Sequence, residues 1–308
     1  MTRRGIVLFV ALGIAWGIPY ALIRVAVDEL SPVMVVFART ALAGLLLLPV
    51  ALARHEVLPV LRRWRPMLAY TVAEIILPWY FLNSAERTLP SSTAGLLIAA
   101  VPLAGVAVAW AIGRPARLSL GNWSGILVGM CGVTALVGLD VAGSDLLAVA
   151  GLAITVVGYA TGPAIIARWM PDLPGVGVVV VSLLATSVVY APLVAGTGAW
   201  PSHLPSAGVV GAVVTLAVVC SAAAFLLMIA LVAEIGPVRA TAITYLNPAV
   251  AIAVGALWLH ERISVWTVLG FALVLAGSYL VTRRRPGAPT TVTTEPLEAA
   301  EPAGAGRR

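Results

Sequence analysis

The chain alternates long apolar runs with short segments that are rich in charge, proline or glycine. An α-helix needs about 20 apolar residues to cross the hydrocarbon core of a bilayer. Ten runs have about this length, and they predict membrane-spanning helices at 5–25, 33–53, 67–86, 91–112, 120–139, 146–167, 176–195, 207–233, 237–259 and 264–282. Strands of an outer-membrane barrel would instead show short alternating segments, so helices are the spanning structure that this pattern predicts.

The composition places these helices in a lipid bilayer. Hydrophobic residues make up 61% of the chain and charged residues only 10%, with a mean hydropathy of +1.03. Soluble domains carry about 25% charged residues. We therefore predict one all-α integral membrane domain, with ten transmembrane helices and no second globular domain.

The arginines predict the orientation of this domain, because cytoplasmic loops carry an excess of positive charge. If residue 1 is cytoplasmic, thirteen arginines lie inside and three outside. The outer three are Arg24, Arg87 and Arg262, and the inner ones are Arg3, Arg4, Arg54, Arg62, Arg63, Arg65, Arg114, Arg117, Arg168, Arg239, Arg283, Arg284 and Arg285. We expect a multi-pass protein of the cell membrane (inner or plasma membrane) with both termini cytoplasmic. The location of the arginines also accounts for the net charge of +6, so no nucleic-acid partner is expected.

The last 26 residues differ from the rest of the chain. Residues 283–308 begin with three arginines and continue as a mixture of proline, threonine, alanine and glutamate without apolar periodicity. Such a composition cannot bury enough apolar surface to fold. We predict a disordered cytoplasmic tail whose leading arginines lie at the lipid headgroups.

An internal repeat divides the membrane domain. Residues 16–24, with Pro19, resemble residues 160–168, with Pro163, at a shift of 144, and Pro102 answers Pro248 at a shift of 146. Gly125 and Gly132 answer Gly270 and Gly277 at a shift of 145. Five spans per half is an odd number, so the second half must be inverted relative to the first. We predict two inverted five-helix repeats, at 1–140 and 141–282, an architecture that places a binding site between the halves and is typical of secondary transporters.

Five prolines fall inside predicted spans. Each removes a backbone hydrogen bond and frees the carbonyl four residues earlier, which is costly against lipid. We expect helix breaks that face the protein interior or a cavity at Pro19, Pro78, Pro102, Pro163 and Pro248, although an ordinary kink is the simpler interpretation at each position alone.

Glu74 is the main candidate for chemistry. It is the only carboxylate near the middle of a predicted span, about 18 Å from the outer end of the third helix at 1.5 Å per residue. Acids at this depth are expensive and are functional candidates by default. Glu74 could carry a proton or bind a substrate ammonium, or it could be a structural acid bonded to a neighbouring helix.

Arg39 is the only basic residue well inside a span, about 9 Å from the outer end of the second helix. It must reach the interface or find an acceptor. Glu74, Glu86 at the outer rim and a backbone carbonyl are the competing partners. We interpret Arg39 as a structural intramembrane charge.

Aromatic and amide side chains near the prolines could line a cavity for amphipathic solutes. Each alone could equally be an interface anchor or a core residue. These candidates are Trp16, Tyr20, Trp79, Tyr80, Tyr159, Tyr245 and Asn247.

These features together resemble the drug/metabolite transporter (DMT) superfamily, in particular its EamA-like ten-helix members, over roughly residues 5–282. The resemblance is carried by the order and spacing of Trp16-Gly17, Phe37-Ala-Arg39, Ser91-Ser-Thr-Ala94 before Pro102, and Tyr245-Leu-Asn-Pro248 before His260-Glu261-Arg262. The family's usual Gly-Glu is His260-Glu261 here, and the matching turn of the first half, Gly113-Arg114, has no acid. The resemblance implies a cavity lined by helices one, three, four, six, eight and nine, and a contact of helices five and ten in a possible homodimer.

Three classes of function remain open at this point. The first is a gradient-driven transporter that exports amino acids, related metabolites or small toxic compounds, with protons as a possible coupling ion, or an uptake permease of the same fold. The second is a membrane-embedded enzyme, which would need an acid pair, a metal cluster or a nucleophile and base at membrane depth. The third is a channel or structural subunit. The chain contains no lysine, which excludes a Walker A loop and a Schiff-base cofactor. We therefore expect a transporter, with no enzyme activity, metal or cofactor.

Overall fold

The computed structural model describes residues 2–112, 120–135, 146–240 and 242–282, and the secondary structure in these ranges is helical. The predicted tail at 283–308 lies outside the described residues, as do Gly113 and Arg114. The helices are α1 Arg3–Gly17, α2 Pro19–Ala26, α3 Pro32–Ala53, α4 Val57–Arg62, α5 Trp64–Thr71, α6 Leu77–Ala85, α7 Ser91–Ile98, α8 Val101–Ala111, α9 Leu120–Ala135, α10 Leu146–Trp169, α11 Gly175–Gly196, α12 Ala207–Ala217, α13 Ala224–Ile235, α14 Pro237–Ala240, α15 Ile243–Leu257 and α16 Val265–Thr282. Two π-helical segments, Val72–Ile76 and Val218–Ala223, join α5 to α6 and α12 to α13.

The helices confirm the all-α membrane fold. Five helical stretches in the described residues are long and apolar enough to cross a membrane, and α7 with α8, bent by 40°, forms a sixth. Three further apolar helices, including α9 and α15, are shorter. Each of the ten predicted apolar runs coincides with one helix or with consecutive helices of the described ranges.

The five intramembrane prolines do not all break a helix. Pro19 begins α2 after a break at Ile18, Pro78 follows the first π segment, and Pro102 stands at the bend between α7 and α8. Pro163 and Pro248 instead lie inside α10 and α15, which continue through them. The expected break is absent there because proline removes only one hydrogen bond, and its fixed φ is compatible with the α conformation.

Helix packing repeats between the two halves. Three of the main contacts join a predicted span to the corresponding span of the other half, namely α3 with α11, α7 with α15 and α9 with α16. The contact of α10 with α6 is matched by the contact of α1 with α13, because α1 and α2 correspond to α10 and α13 corresponds to α6. This pattern is what the predicted two-fold relation between the halves requires.

Glycines bring α9 and α16 into close contact. A Cβ atom added at Gly132 would lie 2.7 Å from the backbone nitrogen of Val274, and one added at Gly277 would overlap the backbone of Gly129. Small residues drive helix association in membranes because they let backbones approach. The glycine faces of helices five and ten are therefore occupied within one chain, and a homodimer contact through these helices stays a prediction that would have to use their outer faces.

Three carboxylates accept hydrogen bonds from backbone N–H groups at the N-termini of helices. Glu56 Oε2 accepts the backbone N–H of Gly177 in the first turn of α11 at 2.8 Å, and Glu29 Oε2 accepts that of Ser206, the residue before α12, at 2.8 Å. Glu261 accepts the N–H groups of Ser91 and Ser92 at 2.7 and 3.0 Å. Carboxylates at helix N-termini satisfy free donors and favour the helix dipole. These bonds tie each turn to a helix distant in sequence.

Candidate functional site

Two acids with buried carboxylate oxygens, Glu74 and Glu86, stand apart from the other acids of the described chain. Six of the eight carboxylate side chains in the described ranges take part in a hydrogen bond or an ion pair. Glu74 Oε2 and both carboxylate oxygens of Glu86 are buried and have no hydrogen-bond partner among these residues. A buried polar group without a partner is costly, so both acids call for a functional explanation.

Glu74 lies within the first π segment and faces α10. A Cβ atom added at Gly162 would overlap the Glu74 carboxylate, and one added at Gly158 would overlap the carbonyl of Ala73. These two glycines of α10 therefore make room for the acid and its backbone. The hydroxyl of Tyr190 donates a 2.8 Å hydrogen bond to the Ile76 carbonyl at the end of the segment. Single π turns within helices are frequent at functional sites.

Arg39 is buried, with 5% of its surface exposed, and is held by the second π segment. Its Nε donates to Ser221 Oγ at 2.8 Å, and Nη2 lies 3.5 Å from the carbonyl oxygen of Cys220. The guanidinium carbon lies 3.8 Å from the centre of the Trp79 ring, a cation–π contact. Of the three partners that the sequence left open, the structure shows the backbone carbonyl, together with a serine and a tryptophan that were not expected.

The two π segments occupy equivalent places in the halves and receive a side chain from equivalent helices. Arg39 of α3 reaches the segment Val218–Ala223, and Tyr190 of α11 reaches the segment Val72–Ile76. Arg39 donates a hydrogen bond to the Ser221 hydroxyl within one π segment, and Tyr190 donates one to the Ile76 carbonyl of the other. The irregular turns are therefore built into the helix packing.

Four buried residues and one half-buried tyrosine, Tyr159, make up a group that we call the central cluster. Its members are Tyr20, Arg39, Trp79, Glu86 and Tyr159. The charge of Arg39 acts on both tyrosines and on Glu86, and Tyr159 also interacts electrostatically with Glu74. Four of these five residues are among the predicted candidates, and the cluster brings together helices from both halves.

The remaining candidates lie elsewhere. Tyr80 is 37% exposed and lines a groove of about 400 Å³ between α6 and α10. Trp16 packs edge-on against Phe225 with ring centres 6.0 Å apart. Asn247 Oδ1 is buried without a hydrogen-bond partner in the described part of the chain, and Tyr245 is partly buried on the same helix, α15. Trp16 on α1 and the pair Tyr245 and Asn247 on α15 are not members of the central cluster.

A second cavity of about 390 Å³ opens at the end of the molecule that carries Glu86. Its lining includes residues of three turns that are distant in sequence, namely Arg24, Val25, Asp28, Thr88, Leu89, Pro90, Leu259 and Glu261. Arg24 is paired with Asp28 at 2.8 Å in this lining. We call this space the rim cavity. It is charged, whereas the groove beside Tyr80 is apolar.

Comparison with known proteins identifies the family. The model of the EamA-like transporter family matches residues 3–138 and again residues 146–283. The chain belongs to the EamA-like transporter family. The two matches divide it close to the boundary predicted from the internal repeat.

Relatives of this EamA-like chain are similar over most of its length. The "Uncharacterized inner membrane transporter YedA" of Escherichia coli K12 is 32% identical over 285 residues, which cover 88% of this chain and 90% of the relative. The proteins of the same name from the Escherichia coli strains O6:H1 and O157:H7 match equally. One solved crystal structure, 21% identical, superposes with a TM-score of 0.65 and covers 92% of this chain and 97% of its own. That last likeness shows the fold alone.

Sequence reasoning missed part of the site of this EamA-like transporter. Glu86 was considered only as a rim partner for Arg39, because an acid at the end of an apolar run is normally solvated. Nothing in the sequence distinguishes Ser221 or Gly162 from the many other small residues of the apolar runs. No three metal-ligating side chains lie together in the part of the chain that the structure describes.

Proposed function

We propose that this protein is a secondary active transporter that exports amino acids, related small metabolites or small toxic compounds by alternating access, coupled to protons. Its membership of a transporter family supports transport over an enzyme activity. The inner-membrane transporters that it resembles support a place in the inner membrane. In the proposed topology both termini are cytoplasmic, and the rim cavity faces the outside.

The unpaired carboxylate of Glu74 is the observation that carries proton coupling. It lies at membrane depth, it has a buried oxygen without a partner among the described residues, and the backbone of α10 leaves room for it. A carboxylate in such a place is stable when it binds a proton or a cation, and this is how intramembrane acids serve ion pathways. Binding and release of a proton at Glu74 would change the charge between the halves.

The central cluster supplies the complementary groups for an organic solute. Arg39 provides a positive charge that lacks a carboxylate within 4.0 Å in the described residues, and Tyr20, Trp79 and Tyr159 provide ring faces and hydroxyl groups. Few polar groups within aromatic surroundings suit amphipathic solutes that carry an acid or amine. In this proposal Arg39 has a structural role as well, because it fixes the second π segment.

The test is flux in proteoliposomes made with the full-length protein. A pH gradient is imposed across the vesicles, and accumulation of labelled amino acids and of the toxic cation ethidium is measured. We expect accumulation of at least one solute, and Glu74→Gln should lower the gradient-driven part by about tenfold or more, an ordinary size for coupling between two sites. Asp172→Asn is the matched control, because Asp172 forms an exposed ion pair with Arg63 at 2.8 Å. It should behave as wild type.

The outcomes separate the alternatives. Flux of no solute would count against transport, and unchanged proton dependence in Glu74→Gln would refute its role. Vesicles of known sidedness distinguish export from uptake, since only an exporter exchanges outward-moving solute for inward-moving protons. Accumulation in the opposite sense would assign an uptake permease of the same fold.

A further inference from the structure

A group of basic and aromatic side chains lies where the end of α10 meets the start of α5. Arg63, the residue before α5, donates to the carbonyl oxygen of Trp169 at 2.9 Å and to Asp172 Oδ2 at 2.8 Å. These two bonds join the start of α5 to the end of α10. Four exposed residues adjoin them, and we call these residues the basic patch: Trp64, Arg65, Arg168 and Trp169.

Each tryptophan of the basic patch has an arginine over its ring. The guanidinium carbon of Arg65 lies 5.4 Å from the centre of the Trp64 ring, and that of Arg168 lies 5.6 Å from the centre of the Trp169 ring. The two tryptophans are 57% and 47% exposed. Tryptophan is enriched at the depth of the lipid headgroups, where arginine can keep its charge in the polar layer. The patch therefore presents two guanidinium groups at the end of the spans, at headgroup depth.

Positive charge is in excess around the basic patch. Residues 62–65 and 168–172 contain four arginines and one acid, Asp172, which is paired with Arg63 at 2.8 Å. Neither Arg65 nor Arg168 has a carboxylate within 4.0 Å in the described ranges. A guanidinium group binds phosphate oxygens through parallel hydrogen bonds. Basic pockets between helix ends at the cytoplasmic surface favour anionic lipid headgroups for this reason.

An exposed apolar surface continues from the basic patch into the membrane along α5. Leu68 is exposed and stands four residues after Trp64, so the two side chains share one face of the helix. Met67 points the other way and packs with Ile165 and Met170 in the core. The arginines are thus followed by an apolar strip on the lipid-facing side. An acyl chain attached to the phosphate can use this strip, whereas a free phosphate cannot.

From this arrangement we infer that the basic patch binds an anionic phospholipid, whose phosphate contacts Arg65 and Arg168 and whose acyl chain lies along Trp64 and Leu68. Arg65 belongs to the first half of the chain and Arg168 to the second, so one lipid joins the ends of the two halves. In the proposed topology these ends face the cytoplasmic leaflet. The inference goes beyond transport and does not depend on which solute moves.

The test measures lipid binding by native mass spectrometry of the full-length protein in a neutral detergent. Phosphatidylglycerol is the anionic probe, and phosphatidylcholine with the same acyl chains is the zwitterionic one. Wild type should bind phosphatidylglycerol more tightly. The double variant Arg65→Gln with Arg168→Gln should lower this affinity about thirtyfold, at about fivefold for each arginine near an anionic headgroup. Each single variant should show about its own share of this loss.

A second double variant controls for the loss of charge alone. Arg3→Gln with Arg87→Gln removes the same charge from two exposed arginines outside the patch, one near the N-terminus and one after α6, and should keep the wild-type affinity. Thermal unfolding shows that the variants are folded and gives a second readout. Phosphatidylglycerol should raise the melting temperature of wild type, because a ligand of the folded state stabilises it. This rise should be lost in the patch variant and kept in the control.

The outcomes decide between a built lipid site and general attraction. Equal binding of the two lipids, or equal loss of affinity in the two double variants, would overturn the inference, since the charge of the whole chain would then explain the binding. Displacement of the lipid by an equal concentration of inorganic phosphate would overturn it as well and assign the patch to free phosphate. A loss confined to one of the single variants would contradict a lipid shared by the two halves. Solute flux enters none of these measurements, so the proposed function can fail while the lipid site holds, and the reverse.

Discussion

Arg39 Nε donates a hydrogen bond of 2.8 Å to Ser221 Oγ, so a guanidinium of the second span is bonded to an irregular turn of the eighth. Ser221 is fully buried, and its own hydroxyl donates to the Leu216 carbonyl at 2.9 Å. The serine thus links a charged side chain to the backbone of a π segment. Because both residues are buried, this bond should be visible in the stability of the protein.

Ser221→Ala should lower the free energy of unfolding by about 1 kcal/mol, because the Arg39 guanidinium loses its closest acceptor in a buried place. The measurement is thermal unfolding in detergent. Cys220→Ala is the matched control, since Cys220 offers Arg39 only its backbone carbonyl. Equal loss in the two variants would contradict the role of the serine hydroxyl.

Gly162→Ala should destabilise the protein by about 2 kcal/mol, because the new methyl group overlaps the Glu74 carboxylate. In the double variant with Glu74→Ala most of this cost should disappear, since the overlapping group is gone. A double-mutant cycle by thermal unfolding measures the coupling.

Gly211→Ala is the control for that cycle, because nothing lies within 4 Å of a Cβ atom added at Gly211. It should be neutral or slightly stabilising, as expected for alanine in a helix. Additive effects of the Gly162 and Glu74 substitutions would show that the two residues do not touch.

Acid should weaken the attachment of the first outer turn to α12. The hydrogen bonds from Ser206 lower the pKa of Glu29 below its ordinary value of 4.5. Because the folded pKa is the lower one, the stabilising contribution is complete above 4.5 and is lost as the pH falls below it towards the folded pKa.

The variant Glu29→Gln should lack this acid-dependent part and should otherwise unfold like wild type at neutral pH. Thermal unfolding of both proteins across the acid range provides the comparison. The same loss on acidification in both would show that Glu29 does not contribute to it.

The proposed orientation predicts which turns face the outside. In a variant without native cysteines, a cysteine that replaces His203 should react with a membrane-impermeant thiol reagent in intact cells. A cysteine that replaces Arg62 should react only after permeabilisation. The reverse result would invert the topology and place the rim cavity on the cytoplasmic side.

The helix bounds could be predicted from the sequence far better than the site. The run at 33–53 corresponds to α3 at Pro32–Ala53, and 176–195 to α11 at Gly175–Gly196, because the change from lipid to water at each end is read directly from composition. The π segments leave no such mark, because an extra residue in a helical turn changes neither hydropathy nor length appreciably.

The burial of an acid at the end of a span could not be predicted from the sequence either. Glu86 has the sequence context of a solvated acid, but its surface is 0% exposed in the structure, because burial depends on which other helices pack against the end of its own helix. Glu74 was identified because depth within one helix is a local property. The partner of Arg39 was not, because Ser221 comes from a helix 182 residues later in the chain.

The bond between Arg39 and Ser221 also has a consequence for the alternating access that we propose. Pro49 inside α3 corresponds to Pro192 inside α11. The same difference in residue number makes Ser182 of α11 the residue that corresponds to Arg39 of α3. The Ser182 hydroxyl donates to the Val179 carbonyl of its own helix, and among the described residues of α11 it is the uncharged Tyr190 that reaches the other π segment. If the two halves were identical, the state that opens to the outside and the state that opens to the cytoplasm would have the same free energy. Each state would then be occupied half of the time. In the proposed alternating-access cycle, an arginine bond that is present in one half alone would give the two states unequal free energies, so that one of them is the resting state.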